Sequence, residues 1–195
     1  FEGNHDMAMY VQRCLGYSIT GETREECAFY VHGPGRSGKG TLVNTVVGLL
    51  GTELARGVKF DLFTDSHNDP QGFRWAPLRA ARMIAASESK KAERINEGLM
   101  KQVTGRDKMD AAHKYHEPFS FFPKFKIWLM SNYPPRGDVD DDSFWNRFRV
   151  IRMTKTYMGE ENNTIKDTLT RPENQRGILA WLVFGPAPSL PMALV

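Results

Sequence analysis

Residues 33–41 read Gly-Pro-Gly-Arg-Ser-Gly-Lys-Gly-Thr and separate two apolar segments of different character. Ala28-Phe-Tyr-Val31 is short and β-prone, whereas Leu42-Val-Asn-Thr-Val-Val-Gly-Leu-Leu50 suits a buried helix. Strand, glycine-rich loop and helix in that order constrain the fold more than any other stretch. This is the setting in which a Gly-x-x-x-x-Gly-Lys pattern cradles phosphate. The glycines let successive N–H groups turn inward on an anion, and the helix N-terminus adds positive potential. Gly33, Pro34, Gly35, Arg36, Ser37, Gly38, Lys39, Gly40 and Thr41 are therefore expected to hold a nucleoside triphosphate, with Lys39 on its β- and γ-phosphates. Gly40 stands where a serine or threonine usually follows the lysine. The nearest hydroxyl comes one residue later, at Thr41.

A chain of 195 residues fits one α/β domain. Its 41% hydrophobic and 25% charged content are those of a globular protein. A net charge of +3 permits a nucleic-acid partner without arguing for one, so the arrangement of charge must decide. Cys14 and Cys27 suit neither a disulfide framework nor a zinc site, and read as reduced thiols in a cytosolic protein. No apolar run is long enough to cross a membrane and none resembles a signal peptide. The chain opens at Phe1 without a methionine and reads as a piece of something longer.

Met7 to Gly16 has helical periodicity and stops at a glycine; residues 1–26 form a lead-in to the main unit, residues 27–184. A short strand is expected over Lys59 to Phe63, a loop over Ser66 to Gln71, and a basic helix end over Leu78 to Arg82. Met83-Ile-Ala-Ala-Ser87 reads as a strand ending in Glu88, and Glu93 to Val103 as a helix. Thr104 to Phe122 suggests short strands around a hairpin, and Lys126 to Ser131 another buried strand. Asp140 to Phe148 reads as a short helix, Val150 to Met153 as the last strand, and Gly177 to Phe184 as a final helix; residues 185–195 look irregular. Alternating strands and helices point to a largely parallel sheet with its ligand at the strand carboxyl ends.

Hydrolysis would need an acid to orient water, a polar group near the γ-phosphate, and positive charge for the transition state. Glu88 ends one apolar run and Asn132 another. Ser87 occupies the place where many ATPases carry an aspartate, so metal-holding and water-activating roles both lean on Glu88, helped by Ser87 or Thr41. Arg147 and Arg149 flank Phe148; either suits an arginine finger on a neighbouring subunit's ATP, or else a salt bridge to the acidic run Asp138 to Asp142.

The series then becomes recognisable. The phosphate loop, Ile84-Ala-Ala-Ser-Glu88, Arg94-Ile-Asn-Glu97 with Lys101-Gln-Val-Thr-Gly-Arg-Asp107, Phe119-x-Phe-x-Pro-x-Phe-Lys-Ile-Trp-Leu129, Ser131-Asn132 and Asp142-x-Phe-Trp-Asn-Arg-Phe-Arg149 occur in one order. Together they resemble the superfamily 3 helicase domain of phage- and poxvirus-type primase–helicases, from about Tyr10 to Leu182. The resemblance implies an AAA+ type P-loop NTPase with a mostly parallel sheet, flanking helices and an inserted β-hairpin. It implies ATP and Mg2+ as cofactors, with Thr41 and Glu88 toward the metal, and translocation on single-stranded DNA by a homo-hexameric ring in the host cytoplasm, often behind a primase domain. Lys39 becomes the Walker A lysine, Glu88 the Walker B acid, Asn132 the sensor, Arg147 the first candidate finger and Arg149 the second.

Lys101 to Pro123 resembles the hairpin that this family points into its ring channel. Read from its residues, it holds Lys101, Arg106, Lys108, His113, Lys114 and His116 among few acids, as suits a tract that follows a phosphate backbone. Arg106 replaces a common glycine and Ala112 a frequent arginine, which shifts the DNA-contacting charge toward Arg106, His113 and Lys114. The spacing of Tyr115, Phe119, Phe121 and Phe122 places them in the core rather than under bases. Two other classes fit the loop: a nucleoside monophosphate kinase, whose loop also tends to read Gly-Lys-Gly-Thr, and a nucleotide-binding scaffold with little turnover.

Overall fold

The computed structural model describes residues 3–65, 69, 71–88, 94–136, 141–160, 162 and 164–185. In chain order the elements are α1 (His5–Ser18), β1 (Ala28–His32), α2 (Lys39–Leu54), β2 (Ala55–Lys59), β3 (Met83–Ser87), α3 (Glu97–Thr104), β4 (Met109–Ala111), β5 (Phe119–Phe121), β6 (Lys126–Ser131), α4 (Asp142–Trp145), β7 (Phe148–Arg152), α5 (Ile165–Leu169) and α6 (Pro172–Phe184). Five strands form one sheet in the order β2-β3-β6-β1-β7, and every pair in it is parallel. β4 and β5 form a separate antiparallel hairpin inserted between β3 and β6. The fold is an α/β P-loop NTPase fold with that hairpin as an insertion.

The central strands are apolar throughout because both sheet faces are covered. Phe29, Val31, Met83, Ala85, Trp128 and Met130 pack beneath α1, α2 and α6. Tyr30, Ile84, Ala86, Ile127 and Leu129 face Phe63, Trp75, Met100, Phe125 and Phe144. The Phe29 and Trp128 rings stack at 4.5 Å, and the indole N–H donates to Ser18 Oγ at 2.8 Å, so this buried tryptophan has its partner.

Several boundaries differ from the sequence reading for local reasons. Lys59 ends β2, and Phe60–Phe63 is a 3-10 turn that drives Phe60, Leu62 and Phe63 into the core, so no strand runs from Lys59 to Phe63. Leu78 to Arg82, expected as a basic helix end, is not helical: Leu78 closes a 3-10 turn at Ala76–Leu78, and residues 79–82 are turn, coil and bend. Gly16 does not stop α1, which continues to Ser18. A Cβ there would lie 2.4 Å from the Leu182 carbonyl oxygen, so Gly16 lets α1 and α6 approach closely. Ile95 precedes α3: it sits in a β-bridge with Thr64, and Asn96 caps the helix by accepting from Leu99 N at 2.7 Å. Glu93 lies outside the described residues. Phe148 opens β7 instead of closing a helix. Cys14 and Cys27 are both free and buried.

Lys126, fully buried at the start of β6, pins the 20–22 turn to the sheet. Its Nζ donates to the carbonyls of Thr20, Glu22 (2.9 Å) and Lys124 (3.3 Å), and lies 4.9 Å from the Tyr17 ring centre. Burial, then the nearby Arg82, push its ammonium down to about 8, so the charged form still makes these bonds at neutral pH. Lys126→Met leaves three carbonyls without their donor and is expected to cost about 2–3 kcal/mol in urea unfolding. An unchanged free energy of unfolding would show that the turn is held by other contacts.

Candidate nucleotide site

The loop leaves β1 at the carboxyl edge of the sheet and closes onto α2. Gly33 is fixed by crowding: its φ is +156°, and a Cβ there would lie 2.0 Å from the Met153 carbonyl oxygen. Arg36 (φ +60°) and Gly38 (φ +86°) are left-handed, so the chain coils tightly between them. Such alternation turns consecutive N–H groups into one concavity. The segment after β7 supports it from behind. Met153 N donates to His32 O (2.8 Å), Thr156 Oγ1 to Gly35 O (2.9 Å) and Tyr157 N to Arg36 O (3.0 Å). Two loop carbonyls are thereby held to the outside.

Lys39 is buried and its Nζ donates to Gly33 O (2.9 Å), Pro34 O (2.8 Å) and Ser37 Oγ (3.1 Å). Burial pushes its ammonium below the ordinary lysine value. His32 is likewise pushed below its ordinary value, by burial first and then by Arg152 and Lys39, so it adds no charge at neutral pH. A polar cavity of about 380 Å³ is lined by Gly35 through Thr41, by Asn44 on α2, by Asn132 just past β6, and by Lys166 on α5. The loop and Asn132 are thus brought together. Asn44 and Lys166 carried no motif signal: Lys166 follows a stretch with no periodicity, and only its position in the fold marks it. A Cβ added at Gly40 would meet only Asn44 Nδ2, at 3.6 Å, so the missing serine or threonine there is not imposed by space.

Glu88 extends the β3 ladder, its N–H donating to Met130 O at 2.8 Å. β6 lies between β3 and β1, so the end of the Asn132 strand separates the acid from the loop. The Ser131 hydroxyl donates to the Glu88 carboxylate. Ser131 Oγ also accepts from Tyr133 N (2.9 Å), and the Tyr30 hydroxyl donates to Tyr133 O (3.2 Å). Burial pushes the Tyr30 phenol up to about 12, with Glu88 adding to the rise, so it stays a neutral donor. Ser131 is an orienting group that the sequence reading assigned only to a motif. Ser87 is exposed at the strand end.

Arg147 and Arg149 lie at the other end of the molecule's sheet. β7 runs parallel to β1, pairing Phe148 with Ala28 and Arg152 with His32, so Arg147 precedes the strand edge opposite the loop. At about 3.3 Å per residue the strand alone separates it from its own phosphate site by roughly 16 Å. Its side chain is only 22% exposed, pairs with Glu26 Oε2 (3.5 Å), and donates from Nη1 to Thr104 Oγ1 (3.1 Å). Arg149 Nη1 donates to Asn146 O at 2.7 Å. Among the described residues neither pairs with the acidic run: Asp141 bonds Lys101, and residues 138–140 lie outside the described residues.

The basic residues of the 101–116 tract do not form one surface. Lys101 is spent on Asp141, whose carboxyl it holds down at about 2, joined by the Ser143 hydroxyl. Arg106 (φ +64°) lies at the hairpin base, 4.0 Å from Glu26. Lys108 sits 5.6 Å from the Phe122 ring centre, while His113, Lys114 and His116 are exposed in the turn between β4 and β5. Two aromatics expected in the core are outside it: Tyr115 is 91% exposed at the turn, with φ +67°, and Phe122 is 54% exposed. Strand alternation explains the split, since Phe121 points inward and its neighbour cannot; Tyr115 belongs to the turn and not to a strand.

Among the described residues no helix is long and apolar enough to cross a membrane. The chain is 30% identical over 162 residues to "Putative helicase L207/L206" of Acanthamoeba polyphaga mimivirus, covering 82% of this chain and 17% of that protein. It is 24% identical over 165 residues to "Putative helicase V13" of Sputnik virophage, covering 78% of this chain and 21% of that one. The chain therefore spans about a fifth of the length of these relatives. Among solved structures, the NrS-1 C-terminal region superposes with a TM-score of 0.70 at 17% identity, over 91% of this chain and 41% of that one. JCV helicase does so with a TM-score of 0.56 at 17% identity, over 94% and 51%. Both likenesses are of fold. Residues 31–149, which include the phosphate loop, Glu88, Asn132 and Arg147, match the family described as DUF5906, of unknown function, and the chain belongs to that family.

Proposed function

We propose that this chain is the ATPase domain of a superfamily 3 DNA helicase of viral or phage type. It hydrolyses ATP between like subunits of a hexameric ring and moves along single-stranded DNA during replication. The observation that carries this reading is the split of the parts across the sheet. The phosphate loop and Asn132 share a cavity at one edge, while Arg147 stands at the other. A guanidinium so placed is too far to reach its own nucleotide, which supports a role on a neighbour's. The names of the viral relatives support the same reading.

Within one subunit, loop N–H groups and Lys39 bind and orient the phosphates, Glu88 accepts a proton from the attacking water, and Asn132 holds that water or the γ-phosphate. Ser131 fixes the Glu88 carboxylate. Magnesium carried with the nucleotide fits these residues, because it keeps most of its waters and needs only one or two protein oxygens. Thr41, which lines the cavity, and Glu88, at the end of β3, would supply those oxygens. When bound, the ion neutralises phosphate charge.

The β4–β5 turn is the proposed DNA contact, with His113 and Lys114 on phosphates and Tyr115 beneath a base. Replacing His113 and Lys114 by alanine is expected to weaken single-stranded DNA binding and to flatten its salt dependence by about 0.7 per lost phosphate contact. Tyr115→Ala is expected to cost about 1–3 kcal/mol of affinity while leaving the salt slope in place. Fluorescence anisotropy across a salt series reads both. Unchanged slope and affinity in these variants would remove the turn from the DNA path.

A further inference from the structure

Lys166 on α5 lines the nucleotide cavity together with the loop, Asn44 and Asn132. We propose that Lys166 is a second cation of the nucleotide site, acting from the same subunit as the loop and binding the phosphate chain of a nucleoside polyphosphate. This rests on the reading of the loop as a nucleotide site, and adds a binding residue from a segment outside the family match.

Three observations converge on it. First, the stretch after β7 that precedes α5 in sequence is bonded to the loop: Met153, Thr156 and Tyr157 bond the carbonyls of His32, Gly35 and Arg36. Second, α5 packs against α2, the helix that the loop opens. Third, Lys166 is exposed, and among the described residues its ammonium enters no ion pair. Lys101 and Lys126, by contrast, are committed to protein acceptors. The cavity around Lys166 offers backbone N–H groups and amide side chains instead of an apolar slot for a base. A compact, strongly hydrated ammonium in such a place suits anionic oxygen. Its attraction grows with the charge of the ligand, so a triphosphate gains more than a diphosphate.

The test is calorimetric titration of the chain with a non-hydrolysable ATP analogue and with ADP, for Lys166→Ala, Lys166→Glu, Lys166→Arg and Lys39→Ala. Lys166→Ala is expected to raise the Kd for the triphosphate about 5- to 10-fold, as for a charge-assisted contact. The rise for ADP is smaller, Lys166→Glu is worse than alanine, and Lys166→Arg stays within about 2-fold of wild type. If Lys39→Ala loses binding while the alanine and glutamate variants at 166 keep the wild-type Kd, the inference is overturned and the loop reading survives. If Lys39→Ala also keeps the wild-type Kd, the loop is not a nucleotide site and both readings fall. Equal losses in the alanine and arginine variants would mark a packing role, and would overturn it too.

Discussion

Glu88→Gln is expected to bind ATP as tightly as the wild-type chain and to hydrolyse it about 10²–10⁴-fold more slowly, the share that a positioned general base usually carries. The amide keeps the shape of the carboxylate and can still meet the Ser131 hydroxyl, but it cannot take a proton from water. Lys39→Ala is expected to lose hydrolysis as well, and also to weaken nucleotide binding, because its proposed role is that of point charge for the β- and γ-phosphates. The pair separates chemistry from binding. Turnover at the wild-type rate in Glu88→Gln would mean that the catalytic acid lies elsewhere.

Arg147→Ala is expected to bind ATP normally and to hydrolyse it about 10³-fold or more slowly, the usual share of an arginine finger. On the proposed reading the finger makes hydrolysis a property of an interface, so activity should rise with protein concentration. Mixing Arg147→Ala with Lys39→Ala should recover part of the activity, because some interfaces then pair an intact loop with an intact arginine. In the single chain Arg147 is turned inward onto Glu26 and Thr104, so engaging a neighbour requires it to leave them. Arg149 is tested in the same way. Normal hydrolysis by both arginine variants as monomers would leave a self-contained kinase or a scaffold as the better account.

The parts of this molecule that were legible in its sequence are those where one stretch carries its own physics. The phosphate loop announces itself by glycines between a strand and a helix, and β3 and β6 by apolar runs with clear ends. Asn132 was legible because it closes such a run, and it lines the cavity with the loop. What failed depended on contacts between distant segments. Gly16 looks like a helix stop until Leu182 is seen against it. Lys101 and Arg106 look like part of a basic DNA tract, but Asp141 and Glu26, far away in sequence, stand beside them. Tyr115 looks like core because of its short spacing to Phe119, Phe121 and Phe122 beside a strand, and only the hairpin turn places it outside. Lys166 had no signal at all, since its meaning comes from the strap that crosses the loop.

The central claim is that this chain is a motor whose ATP turnover is coupled to single-stranded DNA. Steady-state ATP hydrolysis, measured with and without single-stranded DNA at a protein concentration that favours assembly, tests it most directly. The account predicts hydrolysis that rises on adding the DNA, requires Glu88, and loses its DNA response when His113, Lys114 and Tyr115 are replaced. Hydrolysis indifferent to DNA, or phosphate transfer to a nucleoside monophosphate in place of hydrolysis, would contradict it.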